Sequence, residues 1–305
     1  MFADPLAAVV VPERVTLTSA LVYDTFTVVY DVVGGLFMHT DFPDLCSRMR
    51  RDILEMIHAA GSGHPGGSLS CVEILATLYF DVMRVNPANP SDPNRDRFLL
   101  SKGHAAPALY CALAHRGYFD RNLLATLRAF GSPLQGHPHM SSLPGLDCSS
   151  GSLGQGLSIA NGLAMAAKKQ GKNYRTYCLL GDGELQEGQI WEAAMTAAHF
   201  GLDNVCVIVD NNGVQLDGNT ADIMGVEPVG DKFRAFGWHV VGADGHDVNA
   251  LQLAFRLAGT TRGRPTAIIA ETVKGKGVSF MENQCAWHGK APDKEELAAA
   301  LAEIK

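Results

Sequence analysis

Two apolar runs in this chain end in polar triplets thirty residues apart (212 − 182 = 30). "TYCLL" leads into Gly181-Asp182-Gly183, and "VCVIV" leads into Asp210-Asn211-Asn212. Between them, "LQEGQIWEAAMTAAHFG" carries apolar residues at helical spacing. Strand, helix and strand at that separation make one βαβ unit, whose right-handed crossover sets the strands parallel and close together. Asp182 and Asn212 must then emerge at the same edge of one sheet, where open α/β sheets take their ligands.

The rest of the chain repeats the alternation. Short buried strands are predicted at "DRFLLS", "RTYCLL", "NVCVIVD", "WHVVGA" and "TAIIAET". Helices are predicted at "DLCSRMRRDILEMIHAA", "SCVEILATLYFDVM", "KGHAAPALYCALAHRGY", the stretch that starts in "SSGSLGQGL", and "DKEELAAALAEI". The expected class is α/β: an open parallel sheet with helices on both faces, in one domain over residues 41–305. Residues 1–40 read as an N-terminal extension of unknown role with some β character. Its apolar stretch, Ala20 to Met38, is broken by Asp24 and Asp31, so no spanning helix is expected. No Lys or Arg precedes Arg14, which does not fit a signal peptide.

Composition narrows the function. A net charge of −7 argues against a nucleic-acid surface. Seven cysteines lie scattered, most in apolar runs and with no CxxC pair, as reduced core thiols do in a cytoplasmic protein. No partner membrane is expected.

At the sheet edge the residues suggest a metal and an anion. Gly181 and Gly183 allow a tight turn and close approach, and Gly183 opens a helix whose N-terminus favours phosphate. The Asp182 carboxylate, the Asn212 side-chain carbonyl and the Val214 backbone carbonyl are three hard oxygen ligands for Mg²⁺, with diphosphate oxygens and water completing an octahedron. Singly, such an Asp is an ordinary helix cap and Asn-Asn-Gly an ordinary turn. Together, at consecutive strand ends, they point to a metal–diphosphate site. His64, His104 and His137 sit beside glycine or proline in loops. A lone loop histidine is usually solvated, but each of these abuts a predicted helix near that same edge. Lys274 and Lys276 alone are ordinary loop lysines with glycine neighbours, Glu187 alone is a first-turn acid favoured by the helix dipole, and "SGSLGQG" alone is a close-packed helix entry.

GDG, about thirty residues, then NN is the signature of thiamine diphosphate enzymes. The order of "SGHPGG", "LSKGHAAPALY", "QGHPHM", "SGSLGQGL", "GDGELQEG", "DNNGVQLDG", "ETVKGKG" and "AWHGK" resembles transketolase over about Asp44 to Lys290. The resemblance implies the diphosphate-binding (PP-type) fold and two cofactors, thiamine diphosphate and Mg²⁺, for which Ca²⁺ or Mn²⁺ can substitute. It places His64, His104 and His137 along the channel to the reactive thiazolium carbon, and Lys102, Lys274 and His288 on the cofactor side. It sets Gly151, Ser152 and Leu153 against the aminopyrimidine, and adds Gly183 and Glu184 to the residues around the cofactor. Glu187 becomes part of a carboxylate chain between paired sites. The activity implied is transfer of a two-carbon ketol unit from a ketose phosphate to an aldose phosphate, as in the pentose phosphate pathway.

In transketolases the glutamate that meets the pyrimidine and the residues that bind the sugar phosphate lie on a second, pyrimidine-binding domain. The sequence has no room for one, so the expectation is an N-terminal subunit of a split transketolase. Its partner would be a separate C-terminal subunit, in an α2β2 heterotetramer. Alternatives within the cofactor class are an apulose-4-phosphate transketolase or a part of a deoxyxylulose-phosphate synthase. A non-catalytic module is disfavoured by the intact Asp182, Asn212 and histidine set. A nicotinamide dehydrogenase is disfavoured because no GxGxxG follows a first strand.

Overall fold

The computed structural model describes residues 27–30 and 36–305. It divides into two compact units, residues 1–41 and 42–305. The first holds an antiparallel pair, β1 (Thr27–Tyr30) and β2 (Leu36–His39), in which Thr27 faces His39 and Tyr30 faces Leu36. The rest of the expected extension lies outside the described residues.

The second unit is built on five strands: β3 (Arg97–Leu100), β4 (Thr176–Gly181), β5 (Val205–Asn211), β6 (His239–Asp244) and β7 (Thr266–Glu271). They lie in the order β3-β4-β5-β7-β6, and every neighbouring pair is parallel. All five were legible as apolar runs. The helices are α1 (Phe42–Ala60), α2 (Pro65–Leu69), α3 (Val72–Thr77), α4 (Ala106–Arg116), α5 (Gly156–Lys169), α6 (Gly188–His199), α7 (Thr220–Ile223), α8 (Val229–Ala235), α9 (Val248–Thr260) and α10 (Lys294–Glu303).

Strand side chains alternate between two cores, as the pleat requires. Leu99, Cys178, Val207 and Ala267 stand in register across β3, β4, β5 and β7 and pack with the inner faces of α5, α6 and α8. Their neighbours Leu100, Leu179, Ile208 and Ile268 also stand in register, and they pack on the opposite side with α1, α3, α4 and α9. Both faces are covered there, so β4, β5 and β7 are buried along nearly their whole length instead of alternating, whereas the edge strand β6 is only partly buried. Within α1, Leu45, Met49, Ile53 and Ile57 recur at helical spacing and are buried.

Sequence and structure differ at helix starts. The helix read from Ser70 to Met83 is α3 followed by a π turn over Leu78–Val82. The helix read from Lys102 begins with a 3₁₀ turn, because Pro107 is tolerated only in the first turn of α4. The glycines of 149–155 stay a loop, and α5 starts at Gly156. Each displaced start faces the C-terminal edge of the sheet, where loops must stay free to shape a site.

Candidate active site

The C-terminal ends of β3, β4, β5 and β7 deliver Lys102, Asp182, Asp210, Asn212, Thr272 and Lys274 to one place. The floor is a buried ion pair between the Lys102 ammonium and the Asp210 carboxylate. Ser70 Oγ donates to Asp210 Oδ2 at 2.6 Å, and Thr272 Oγ1 donates to Oδ1. Burial alone would raise the Asp210 carboxyl, but Lys102 and these hydroxyls outweigh it and hold it low. Lys102 is likewise depressed by burial and more than restored by Asp210. Lys102, expected on the cofactor side, is thus paired with Asp210.

Asp182 sits above this pair, with 2 % of its surface exposed. Gly183 N–H donates to its Oδ1 at 2.7 Å and Gly213 N–H to its Oδ2 at 2.5 Å. The second bond ties the β4 tip directly to the turn after β5, so the carboxylate lies against the Asn212–Val214 segment. Burial first, and then the charge of Asp210, push its pKa up to about 6. Asn212 turns its Oδ1 onto the Val214 N–H at 3.1 Å, and the Val214 carbonyl accepts from Lys274 Nζ at 2.8 Å. Of the three oxygens expected to hold a metal, Asp182 is thus tied to the turn through Gly213, while Asn212 Oδ1 and the Val214 carbonyl each accept a hydrogen bond from within the chain. A lysine ammonium rests on one of them. Hard, anionic and carbonyl oxygens of this kind suit Mg²⁺, and a dication would relieve the buried charge on Asp182.

Lys274 Nζ also meets His288 Nδ1 at 2.9 Å. Its pKa is brought down to about 8 by burial and by Lys102. Four imidazoles gather beside it. Ring centroids of His64 lie 5.3 Å from His104, 6.4 Å from His137 and 5.5 Å from His288, and His104 stacks on His288 at 5.1 Å. Burial, the largest cause in each, lowers His64 to about 4 and His288 to about 3, and lowers His104 and His137 as well. All four are neutral at pH 7. His64 Nδ1 is buried and has no partner among the described residues, a donor or acceptor waiting for a ligand.

The glycine loop before α5 closes the site on one side. Gly151 has φ +137°, a conformation for glycine, and a Cβ there would stand 3.1 Å from the His137 ring. Ser150 N–H donates to the Pro138 carbonyl at 3.1 Å, so the loop carrying Gly151, Ser152 and Leu153 is fastened to the loop carrying His137. Glu184 is buried and fully engaged: Ser101 Oγ and Gly154 N–H donate to one oxygen, and Gly181 N–H to the other at 3.1 Å. It braces the GDG turn. Glu187 stands exposed at the N-terminal position of α6 without a side-chain cap hydrogen bond, its Cβ side against Gly154.

The sequence reading missed the residues that hold this arrangement. Val273 N–H donates to His246 Nε2 at 2.8 Å, so His246 Nδ1 carries the proton it gives Glu73 at 3.0 Å. Glu73 is held by Arg50 at 2.6 Å, and Arg50 Nε reaches the Lys276 carbonyl at 3.1 Å. These contacts clamp the segment on both sides of Lys274. Asp210 had a signal: an acid inside a buried strand requires a buried partner, and "SKGH" offers a lysine at the neighbouring strand end.

The family model described as transketolase, thiamine diphosphate binding domain, matches residues 44–304. The chain belongs to this family. Its fold is therefore the α/β thiamine diphosphate-binding fold. It is 47% identical over 257 residues to the 6-deoxy-6-sulfo-D-fructose transketolase subunit SqwG of a Clostridium species, a match covering 84% of this chain and 94% of that protein. It is 43% identical over 255 residues to an apulose-4-phosphate transketolase subunit of Phocaeicola vulgatus, covering 84% and 90%. Among solved structures, transketolase from Leishmania mexicana superposes with a TM-score of 0.82 at 32% identity, over 87% of this chain and 41% of that one. Among the described residues no helix is long and apolar enough to cross a membrane.

Proposed function

We propose that this chain is the diphosphate-binding subunit of a two-chain transketolase, which moves a two-carbon ketol unit from a ketose phosphate to an aldose phosphate. The observation that carries the reading is the buried Asp182 carboxylate, bonded across to the Asn212–Val214 turn and standing beside four neutral histidines. Relatives named as transketolase subunits, matched over nine-tenths of their own length, support the two-chain form. Free cysteines throughout agree with a cytoplasmic setting.

Asp182, Asn212 Oδ1 and the Val214 carbonyl would hold Mg²⁺, and the metal would carry the diphosphate. Lys274 and His288 supply donors on that side. When bound, thiamine diphosphate provides the nucleophilic carbon that cleaves a ketose next to its carbonyl. The chain's own part is positional and acid–base. His64 Nδ1 is the free atom offered to a sugar hydroxyl, and His104 and His137 flank it. Being neutral, each ring can accept a proton at one nitrogen and donate from the other. Glu184 keeps the GDG turn in place, and the Gly151–Leu153 backbone bounds the pocket. Groups for the pyrimidine ring are assigned to a partner chain in an α2β2 assembly.

A second reading concerns the sugar. The 47% identical relative is named for a donor that carries a sulfonate, so a sulfosugar donor is an alternative to a phosphosugar. Calorimetry with thiamine diphosphate, with and without Mg²⁺, tests the site, and turnover of a donor panel after mixing with the partner chain tests the activity. Metal-independent or absent cofactor binding would overturn the assignment.

A further inference from the structure

Opposite the histidines, at the N-terminal ends of β3, β4 and β5, the sheet begins with Arg97, Thr176 and Val205. This edge lies about 17 Å along β4 from the GDG turn. An open cavity of about 750 Å³ is lined here by the segments that enter the three strands and by α9. Its charged residues are six cations, Arg84, Lys168, Lys172, Arg175, Arg256 and Arg262, against three carboxylates, Asp81, Asp96 and Asp203. In a chain of net charge −7, that surplus reverses the overall sign locally.

Two of the six cations are neutralised within the cavity. Asp96 is buried, and its Oδ1 accepts from Arg84 Nη2 at 2.9 Å and from the Arg175 backbone N–H at 2.8 Å. Asp203 pairs with Lys168 at 2.6 Å and accepts the Gly263 N–H at 2.9 Å. Lys172, Arg175, Arg256 and Arg262 have no ion pair among the described residues. Three of them bond to neutral groups: Lys172 Nζ donates to the Pro93 carbonyl at 3.3 Å, Arg175 Nη2 to the Ala258 carbonyl at 2.9 Å, and Arg262 Nη1 to the Gly259 carbonyl at 2.7 Å. Closing the C-terminal end of α9 in this way occupies few of the five donors that each guanidinium carries. Arg256 is exposed and bonds to no described residue. Arg175 Nε and Asn204 Oδ1 belong to lining residues and are buried without a partner among the described residues. Folded proteins rarely leave such atoms unsatisfied unless something else completes them.

We propose that this cavity binds a phosphate ester, a small dianion with a hydroxylated body. Forked guanidinium donors match the oxygens of a phosphate, and a dianion offsets the surplus of cations. The cavity has room for more than a phosphate ion, and the amide side chains of Asn173, Asn204 and Gln252 on its wall suit the hydroxyls of the remainder. Neither Asp182, Asn212 nor any of the four gathered histidines lines it, so the proposal stands apart from the transketolase reading.

Glycerol 2-phosphate, and separately inorganic phosphate, is titrated into the full chain by calorimetry in magnesium-free buffer containing a chelator. Saturable binding of the ester that weakens about 10- to 100-fold in both R256Q and R175Q, the size of one lost charge-assisted hydrogen bond, supports the site. Arg256 holds nothing else in place, so R256Q should melt with the parent chain, which separates lost binding from lost folding. K294Q, which removes an exposed cation at the start of α10, and H64Q, at the other edge, should each keep the affinity within about 2-fold. No saturable binding, an unchanged affinity in R256Q or R175Q, or an equal loss in K294Q overturns the site. Loss in H64Q places the anion among the histidines and overturns it as well. Inorganic phosphate binding as tightly as glycerol 2-phosphate overturns the choice of an ester. A chain that takes up no thiamine diphosphate with Mg²⁺ would remove the functional reading, while this titration would still judge the cavity.

Discussion

Asp182 is the residue on which the metal site and the fold make opposite demands, and Asp182→Asn separates them. In the metal-free chain its carboxyl titrates at about 6 against an ordinary 3.8, because burial and Asp210 oppose its charge. A raised carboxyl pKa means the folded state holds its proton more tightly than the unfolded state. The associated stability is present below the unfolded value and is lost as pH rises from about 4 through about 6. A shift of roughly two pH units, at about 1.4 kcal/mol each, is about 3 kcal/mol at pH 7. Asn resembles the protonated acid in size and keeps one acceptor for Gly183 or Gly213, so it should recover most of that. Metal-free Asp182→Asn should therefore melt about 6 °C higher than the parent at pH 7, at ~2 °C per kcal/mol for a unit of this size. The two should converge near pH 4. With Mg²⁺ and thiamine diphosphate at 1,000 times Kd the order should invert: the parent gains about 4.1 kcal/mol, more than the ~3 kcal/mol that separates the two, and the variant gains nothing. Differential scanning calorimetry at pH 4 and 7, with and without ligands, reads all four states. The reasoning fails if the variant is equally destabilised at both pH values, or if it keeps magnesium-dependent stabilisation by the cofactor.

Lys102→Met should cost about 3–5 kcal/mol by leaving Asp210 charged, buried and unpaired, and adding Asp210→Asn should restore much of it; urea denaturation of the single and double variants checks this. His64 and His288, held neutral by burial, lose folded-state stability as pH falls from 6.5 toward 4, so His64→Gln should flatten the acid limb of the unfolding curve measured between those pH values. His246→Ala removes the acceptor of Val273 N–H and the proton given to Glu73, and should weaken magnesium-dependent cofactor binding several-fold at a stability cost of about 1–2 kcal/mol, read by calorimetry and urea titration.

The linear chain by itself determined the parallel sheet and its working edge. Val207 and Ile208, like Leu179 and Leu180, must face opposite cores, so their runs are apolar without alternation. The polar triplets after them can only be edge. From that spacing alone Asp182 and Asn212 share one sheet edge at the ends of neighbouring strands, and the histidine loops gather there because each runs into a helix covering the sheet. Tertiary structure decided what each group does on arrival. Lys102 is paired with Asp210, because an acid in a buried strand needs an opposite charge within reach. Glu184, read as a cofactor residue, spends both oxygens on Ser101, Gly154 and Gly181. His246 holds Val273 from across the fold, 27 residues away, and Arg128 reaches Ser62 across 66. No local pattern encodes such contacts. Spacing along a chain fixes which edge a residue occupies, whereas its charge state and partner depend on what the rest of the fold brings against it and how much water that excludes.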